Sequence, residues 1–138
     1  LAIFDNELDL AGFERATTTF ALDPGRFFIP DPALDFALVA VRADPVRGSA
    51  TLDGYGWLRL SPEIGKINEG EPITIVQHPN GRTKQIALRE NRLLSIGDAH
   101  LTYESDTAPG SSGAPVFNDS WQVVALHHSG VPRKDAQG

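Results

Sequence analysis

The sequence contains no cysteine and no methionine, and its basic residues are fewer than its acidic ones, twelve Lys and Arg against eighteen Asp and Glu. Each shortage excludes something. Without cysteine there is no disulfide framework, no thiolate nucleophile and no thiolate metal site, and the redox compartment stays open, so localisation is unknown at this point. The formal net charge of −6 speaks against a nucleic-acid partner, because phosphate binding needs clustered Lys and Arg, and the twelve here are scattered. No apolar run approaches the roughly 20 residues needed to cross a bilayer, so no membrane partner is expected. The absence of any Met, together with a start at Leu1 and an abrupt end at Gln137-Gly138, leads to the expectation of a fragment whose natural amino terminus is missing.

What is present fits a globular chain. With 138 residues, 41% of them hydrophobic and 22% charged, the composition suits one domain able to bury a core without metals or staples. Apolar runs are short, rich in β-branched or aromatic residues, and bounded by Gly, Pro, Asn or Asp, which predicts strands rather than helices. The predicted strands are Ala16 to Leu22, Arg26 to Ile29, Asp35 to Arg42, Trp57 to Leu60, Ile73 to Gln77, Thr83 to Arg89, His100 to Glu104, Ala114 to Phe117 and Trp121 to His128. Asn80-Gly81 predicts a hairpin, since Gly reaches the positive φ of tight turns, and Asn118-Asp119-Ser120 predicts a second reversal. A Gly-, Pro- and charge-rich stretch divides the strands into a first group (1–45), a crossing segment (46–70) and a second group (71–138). No internal repeat or low-complexity tract is visible.

The most informative segment is Thr107-Ala108-Pro109-Gly110-Ser111-Ser112-Gly113-Ala114-Pro115-Val116-Phe117, a glycine-bearing turn that holds serines and opens directly into a strand. Glycine lets the backbone turn sharply without a Cβ clash, so that consecutive N–H groups converge beside a serine hydroxyl and can stabilise an oxyanion. The bland alternative is a Gly/Ser surface turn.

Gly110-Ser111-Ser112-Gly113-Ala114-Pro115-Val116 resembles the G-x-S-G-x-P-V nucleophile loop of trypsin-like serine proteases. The resemblance selects Ser112 rather than Ser111 as nucleophile and gives the N–H groups of Gly110 and Ser112 as the oxyanion hole. Leu34-Asp35-Phe36-Ala37-Leu38 is similar to the family's aspartate-led strand, which makes Asp35 the group that orients the catalytic imidazole. A carboxylate at the mouth of a buried strand needs a dedicated partner; the plainer role for Asp35 is to end the turn Pro30-Asp31-Pro32-Ala33. Trp121-Gln122-Val123-Val124-Ala125-Leu126-His127-His128-Ser129-Gly130 resembles the strand that walls the substrate pocket and pairs with the substrate backbone. The details around Phe117-Asn118 and Ala125 to Gly130 look closest to the bacterial glutamyl-endopeptidase branch.

The resemblance implies an all-β fold of two antiparallel six-stranded β-barrels, the first incomplete in this chain, acting as a monomeric serine endopeptidase on polypeptide substrates without a cofactor. One part of the pattern is missing. The family order is His, Asp, Ser, whereas His78, His100, His127 and His128 all follow Asp35. Three explanations stand in order: the histidine lies outside these residues, the domain is an inactive peptide- or protein-binding module, or another histidine substitutes. His78 and His100 suit structural or surface roles better than catalysis. Within the glutamyl branch, Thr107 and His127 match positions that bind an acidic side chain, which implies cleavage after Glu or Asp. Asp106 opposes this, since an aspartate six residues before the nucleophile attracts Lys or Arg in trypsin-type pockets. His128 and Ser129 complete the expected pocket wall; strand alternation predicts that one of His127 and His128 faces inward and the other outward. No His or carboxylate set has metal-ligand spacing, so no metal is expected. An unrelated β-barrel adaptor with an accidental Gly-Ser turn is the distant alternative.

Overall fold

The computed structural model describes residues 1–88, 91–105 and 107–129. Asp106, the far end of the strand predicted to reach Arg89, and the segment beginning at Gly130 lie outside the described residues. The chain is built from antiparallel strands, as its short β-branched runs predict: β1 (Ala2–Phe4), β2 (Thr18–Leu22), β3 (Phe28–Asp31), β4 (Phe36–Val39), β5 (Val41–Arg47), β6 (Thr74–Gln77), β7 (Gln85–Ala87), β8 (Arg92–Ile96), β9 (Leu101–Glu104), β10 (Pro115–Phe117) and β11 (Val123–Leu126). Among the described residues five strands precede the long connection and six follow it, and no ladder closes on itself into a barrel.

In the first group, β2 lies between β1 and β5, with Ala2 opposite Phe20 and Thr19 opposite Arg47. Thr18, Thr19 and Phe20 are all buried, so this central strand is covered on both faces instead of alternating. One cover is an aromatic cluster in which Phe4 meets Phe20 edge-on at 5.3 Å and Tyr55 at 4.4 Å. Burying a ring of this kind stabilises by about 1.5–3 kcal/mol. The Tyr55 hydroxyl donates to the Asp5 carboxylate at 2.5 Å, which satisfies the polar end of the cluster. Beside Thr18, Gly48 at φ +90° brings its backbone so close that a Cβ would stand 2.7 Å from Thr18 Oγ1. Only glycine meets both conditions there. A separate hairpin pairs β3 with β4, Phe28 to Val39 through Asp31 to Phe36.

In the second group the order is β11-β10-β6-β7, and the hairpin β8–β9 joins through a bridge between Pro72 and Arg92. Ile67, Ile73, Ile75, Leu93, Ala114 and Val116 form one buried cluster. Along β6 the alternation puts Ile75 and Gln77 inside, the period expected of a strand with one buried face. The hairpin foreseen at Asn80-Gly81 is present: β6 pairs with β7 across a turn in which Asn80 and Gly81 have φ of 55° and 69°. The reversal at Asn118 is present too. Asn118 Oδ1 accepts from the backbone N–H of Ser120 and Gln122, while Nδ2 donates to Lys66 O and Gln122 Oε1. That side chain therefore ties the long connection to the β10–β11 turn.

Two expectations about strands change. Trp57 to Leu60, expected as a strand, is irregular and exposed, with Trp57 at 89%. Apolar content alone does not make a strand; the backbone N–H and C=O groups need a neighbouring ladder, and none of the described residues offers one here. Strands β1 and β8 were not foreseen, because Ala2–Phe4 is too short to show a period and Arg92–Ile96 lacks strict alternation. The stretch Asp35 to Arg42 divides at Ala40 into β4 and the start of β5, which continues through Pro45 with irregular register at a sheet edge, where a proline is tolerated. The two groups are joined outside the core by Lys84, whose N–H donates to Asn6 O at 2.7 Å and whose ammonium pairs with Glu7.

Replacing Asn118 with Ala strands two part-buried N–H donors and two acceptors. The expected loss is about 2–4 kcal/mol of unfolding free energy, read by urea denaturation followed through tryptophan fluorescence. A loss under about 0.5 kcal/mol would show that water replaces the side chain's bonds.

Candidate active site

The loop before β10 is held from three sides. Ser111 N–H donates to Ala108 O at 3.2 Å and Ala114 N–H to Ser111 O at 3.0 Å, closing two successive turns. Gly113 N–H donates to His127 O at 2.6 Å and His127 N–H to Ala114 O at 2.8 Å, locking the loop to the residue beyond β11. Asn80 N–H donates to Pro109 O at 2.7 Å, fixing the loop against the β6–β7 turn. Gly110 sits on that turn at φ +93°, where a Cβ would stand 3.4 Å from three backbone atoms. It is the positive φ, more than the space, that favours glycine here.

These bonds decide which serine faces out. Ser111 is buried, and its hydroxyl has no partner among the described residues. Ser112 is exposed at the crest of the loop. Among the described residues the N–H groups of Gly110 and Ser112 donate to no partner; Ser112 borders a cleft, whereas Gly110 faces the β6–β7 turn.

Ser112 borders a cleft of about 940 Å³ that Asp35 also lines. The two residues singled out from separate strand groups thus face one space. Asp35 has a left-handed backbone, φ 51°, a conformation that Asp tolerates better than most residues. The turn before it is closed by Asp31, whose Oδ1 accepts from Ala33 and Leu34 N–H at 3.0 Å each. Asp31 thus opens the turn, and Asp35 is its last residue before β4, the plainer role foreseen for it. Asp35 does have a partner, but the reason expected for it does not hold: its side chain is 74% exposed, so desolvation is not what demands one.

That partner is His128, whose Nδ1 lies 2.9 Å from Asp35 Oδ2. The Ser112 hydroxyl in turn donates to the backbone oxygen of His128 at 3.2 Å. His100, expected to be structural or at the surface, is exposed but borders the same cleft, its ring 5.9 Å from that of His128. His78 lies elsewhere and closes its own turn, with Nδ1 3.0 Å from Arg82 O.

The predicted alternation is met: His127 is buried at 7% exposure and His128 faces out. His127 Nδ1 is 2.6 Å from the Tyr103 hydroxyl. Burial lowers the His127 pKa below the ordinary imidazole value, and the neighbouring His128 lowers it further. Burial also pushes the Tyr103 phenol up to about 12. Thr107 and Ser129 border the cleft as expected. Tyr103 and Ser105 border it too and were not singled out from sequence; for Tyr103 the signal was the alternation of β9, which turns Leu101 and Tyr103 toward the core. Among the described residues no group of three or more His, Asp or Glu is placed to hold a metal ion.

A family model for the trypsin-like peptidase domain matches residues 2–126. The chain belongs to that family. It is 46% identical, over 138 residues and 94% of its length, to the uncharacterized protein y4fB of Sinorhizobium fredii. It is 38% identical over 112 residues, 72% of its length, to secreted RxLR effector protein 73 of Plasmopara viticola. Over 70 residues, half of its length, it is 34% identical to the glutamyl endopeptidase of Staphylococcus epidermidis. The chain spans only 21% of the first of these relatives, 25% of the second and 24% of the third.

The buried His127 makes stability depend on pH. Its pKa is lower folded than unfolded, so as pH falls below about 6.5 the unfolded chain takes the proton first and the folded state loses ground. Urea midpoints measured at pH 7.5 and 5.5 should fall with pH, and His127→Gln should shrink that fall. An unchanged slope in the variant would place the pH dependence on other groups.

Proposed function

We propose that the chain forms the Asp- and Ser-bearing part of a serine endopeptidase that cleaves peptide bonds through an acyl-enzyme on Ser112. The observation that supports this best is the common cleft, which Ser112 and Asp35, from separate strand groups, both line. In the reaction, Ser112 Oγ bonds to the scissile carbonyl carbon while its proton passes to an imidazole. The carbonyl oxygen becomes an oxyanion that the N–H groups of Gly110 and Ser112 stabilise, each worth about 3 kcal/mol in the transition state. The imidazole then returns the proton to the leaving amine, and water releases the acyl group by the reverse sequence. The role of Asp35 is to hold that imidazole by Nδ1–H and to stabilise its cation.

The imidazole we assign to a histidine outside these 138 residues, in keeping with the family order. Of the four in the chain, His128 alone touches Asp35 among the described residues, and its ring makes no hydrogen bond to Ser112 Oγ. In the whole protein the incoming imidazole would take the Asp35 contact that His128 makes here. The pocket reading follows from Thr107 and His127: a hydroxyl and an imidazole N–H are donors suited to a carboxylate, so Glu or Asp is the proposed residue on the acyl side of the cut.

A second reading is an inactive peptide-binding module. It is favoured by one observation, that a single residue, His128, already engages both Asp35 and the Ser112 hydroxyl. The two readings part in a labelling experiment on the full-length protein. The hydrolase reading predicts covalent capture of a fluorophosphonate at Ser112, none with Ser112→Ala, and a rate reduced at least about 100-fold by Asp35→Asn. A folded protein that is not labelled, yet holds peptides in the cleft, would leave only the binding module. Cleavage of a peptide library should be strongest after Glu or Asp, and strong cleavage after Lys or Arg would contradict the acidic preference.

A further inference from the structure

Tyr103 lies outside the proposed catalytic group yet makes a short, part-buried contact with His127 of the proposed specificity wall. Its strand, β9, pairs with β8 by setting Tyr103 opposite the fully buried Leu93, and the ring packs on the core cluster of the second group. A phenol anchored in this way keeps its hydroxyl at one point. His127 is equally constrained, because its backbone N–H and C=O are both bonded to the nucleophile loop. The two side chains meet at 2.6 Å between the Tyr103 hydroxyl and His127 Nδ1.

The direction of that bond determines what the cleft can recognise. A phenol is a good donor and a poor acceptor, whereas the unprotonated imidazole nitrogen is a strong acceptor. The bond is therefore best made with the tyrosine donating, which leaves the imidazole proton on Nε2. Nε2–H is then the remaining polar group of His127 for the cleft that this residue borders. A fixed N–H donor takes a carboxylate or carbonyl oxygen and offers nothing to an ammonium or guanidinium group. Thr107 on the same cleft supplies a second hydroxyl donor.

We propose that Tyr103 is a positioning residue, which fixes the Nε2–H tautomer of His127 and thereby makes the pocket read an acidic side chain and reject a basic one. The substrate class rests on the proposed peptidase reading, while the tautomer does not. Imidazole tautomers are commonly set by the group bound to the other ring nitrogen, and here that group is a neutral donor. The pocket then selects an anion without carrying a positive charge of its own. The lowered pKa of His127 agrees with an imidazole that stays neutral near pH 7.

The test reads binding instead of turnover, so that it survives failure of the hydrolase reading. Full-length protein carrying Ser112→Ala is titrated with fluorescent peptides that end in Glu, Gln or Lys. The Glu peptide should bind more tightly than the Lys peptide. Tyr103→Phe should reduce that preference by about 5- to 30-fold, the weight of one hydrogen bond to a charged group. The effect should vanish when His127 is already Leu, because the tyrosine acts through the imidazole. His127→Gln provides a check that leaves Tyr103 in place: its amide accepts from the tyrosine and donates to the ligand, so a preference for Glu should persist there and be lost in His127→Leu. A Glu-to-Lys preference unchanged by Tyr103→Phe, equal weakening of all three peptides, or tighter binding of the Lys peptide in the parent protein would each overturn the assignment.

Discussion

The candidate site depends on two backbone hydrogen bonds, Gly113 N–H to His127 O at 2.6 Å and His127 N–H to Ala114 O at 2.8 Å. They extend the β10–β11 ladder past the end of regular pairing and turn a flexible glycine loop into a fixed edge. Ser112 takes its place from this clamp, and so does His127. Because one pair of bonds sets both, the nucleophile candidate and the proposed specificity wall cannot move independently, which is the arrangement chemistry at a single scissile bond requires. The ladder is anchored through Ala114 and Val116, which belong to the buried cluster with Ile73, Ile75 and Leu93.

The cleft itself is a junction between the two strand groups. One group supplies Asp35 from a strained turn whose own capping is done by Asp31, and the other supplies the loop and β11. Contacts across the junction are polar: Asp35 with His128, and Glu7 with Lys84. Exposed pairs of this kind contribute little to stability, commonly less than about 1 kcal/mol. The interface is thus shaped more by what it positions than by what it buries. Tyr103 adds a further part of the wall from the β8–β9 hairpin of the second group.

Most of the second strand group was legible in the sequence, because its signals are local. Asn80-Gly81 and Asn118-Asp119-Ser120 turn where their backbone preferences demand, and the runs from Ile73, Ala114 and Trp121 become β6, β10 and β11 with trimmed ends. Ser112 was distinguishable from Ser111 by motif position, and the structure gives that distinction a cause in the turns that bury one and expose the other. What was illegible depends on partners distant in the chain. Trp57 to Leu60 reads as a strand and is not one, since no described strand lies beside it. The contact of His128 with Asp35 joins residues 93 positions apart, and no local pattern announces it. Tyr103 could be placed inward by alternation, but the short bond to His127 required the fold.

The central claim is spatial: in the proposed enzyme, Ser112 Oγ and the N–H groups of Gly110 and Ser112 bracket one tetrahedral centre. The structure of the full-length protein reacted with a peptidyl boronate ending in the boron analogue of Glu measures this directly. The account predicts a bond from boron to Ser112 Oγ, with one boronate oxygen about 2.7–3.1 Å from both amide nitrogens. Boron bonded elsewhere, or bonded to Ser112 with neither amide facing it, would contradict the account.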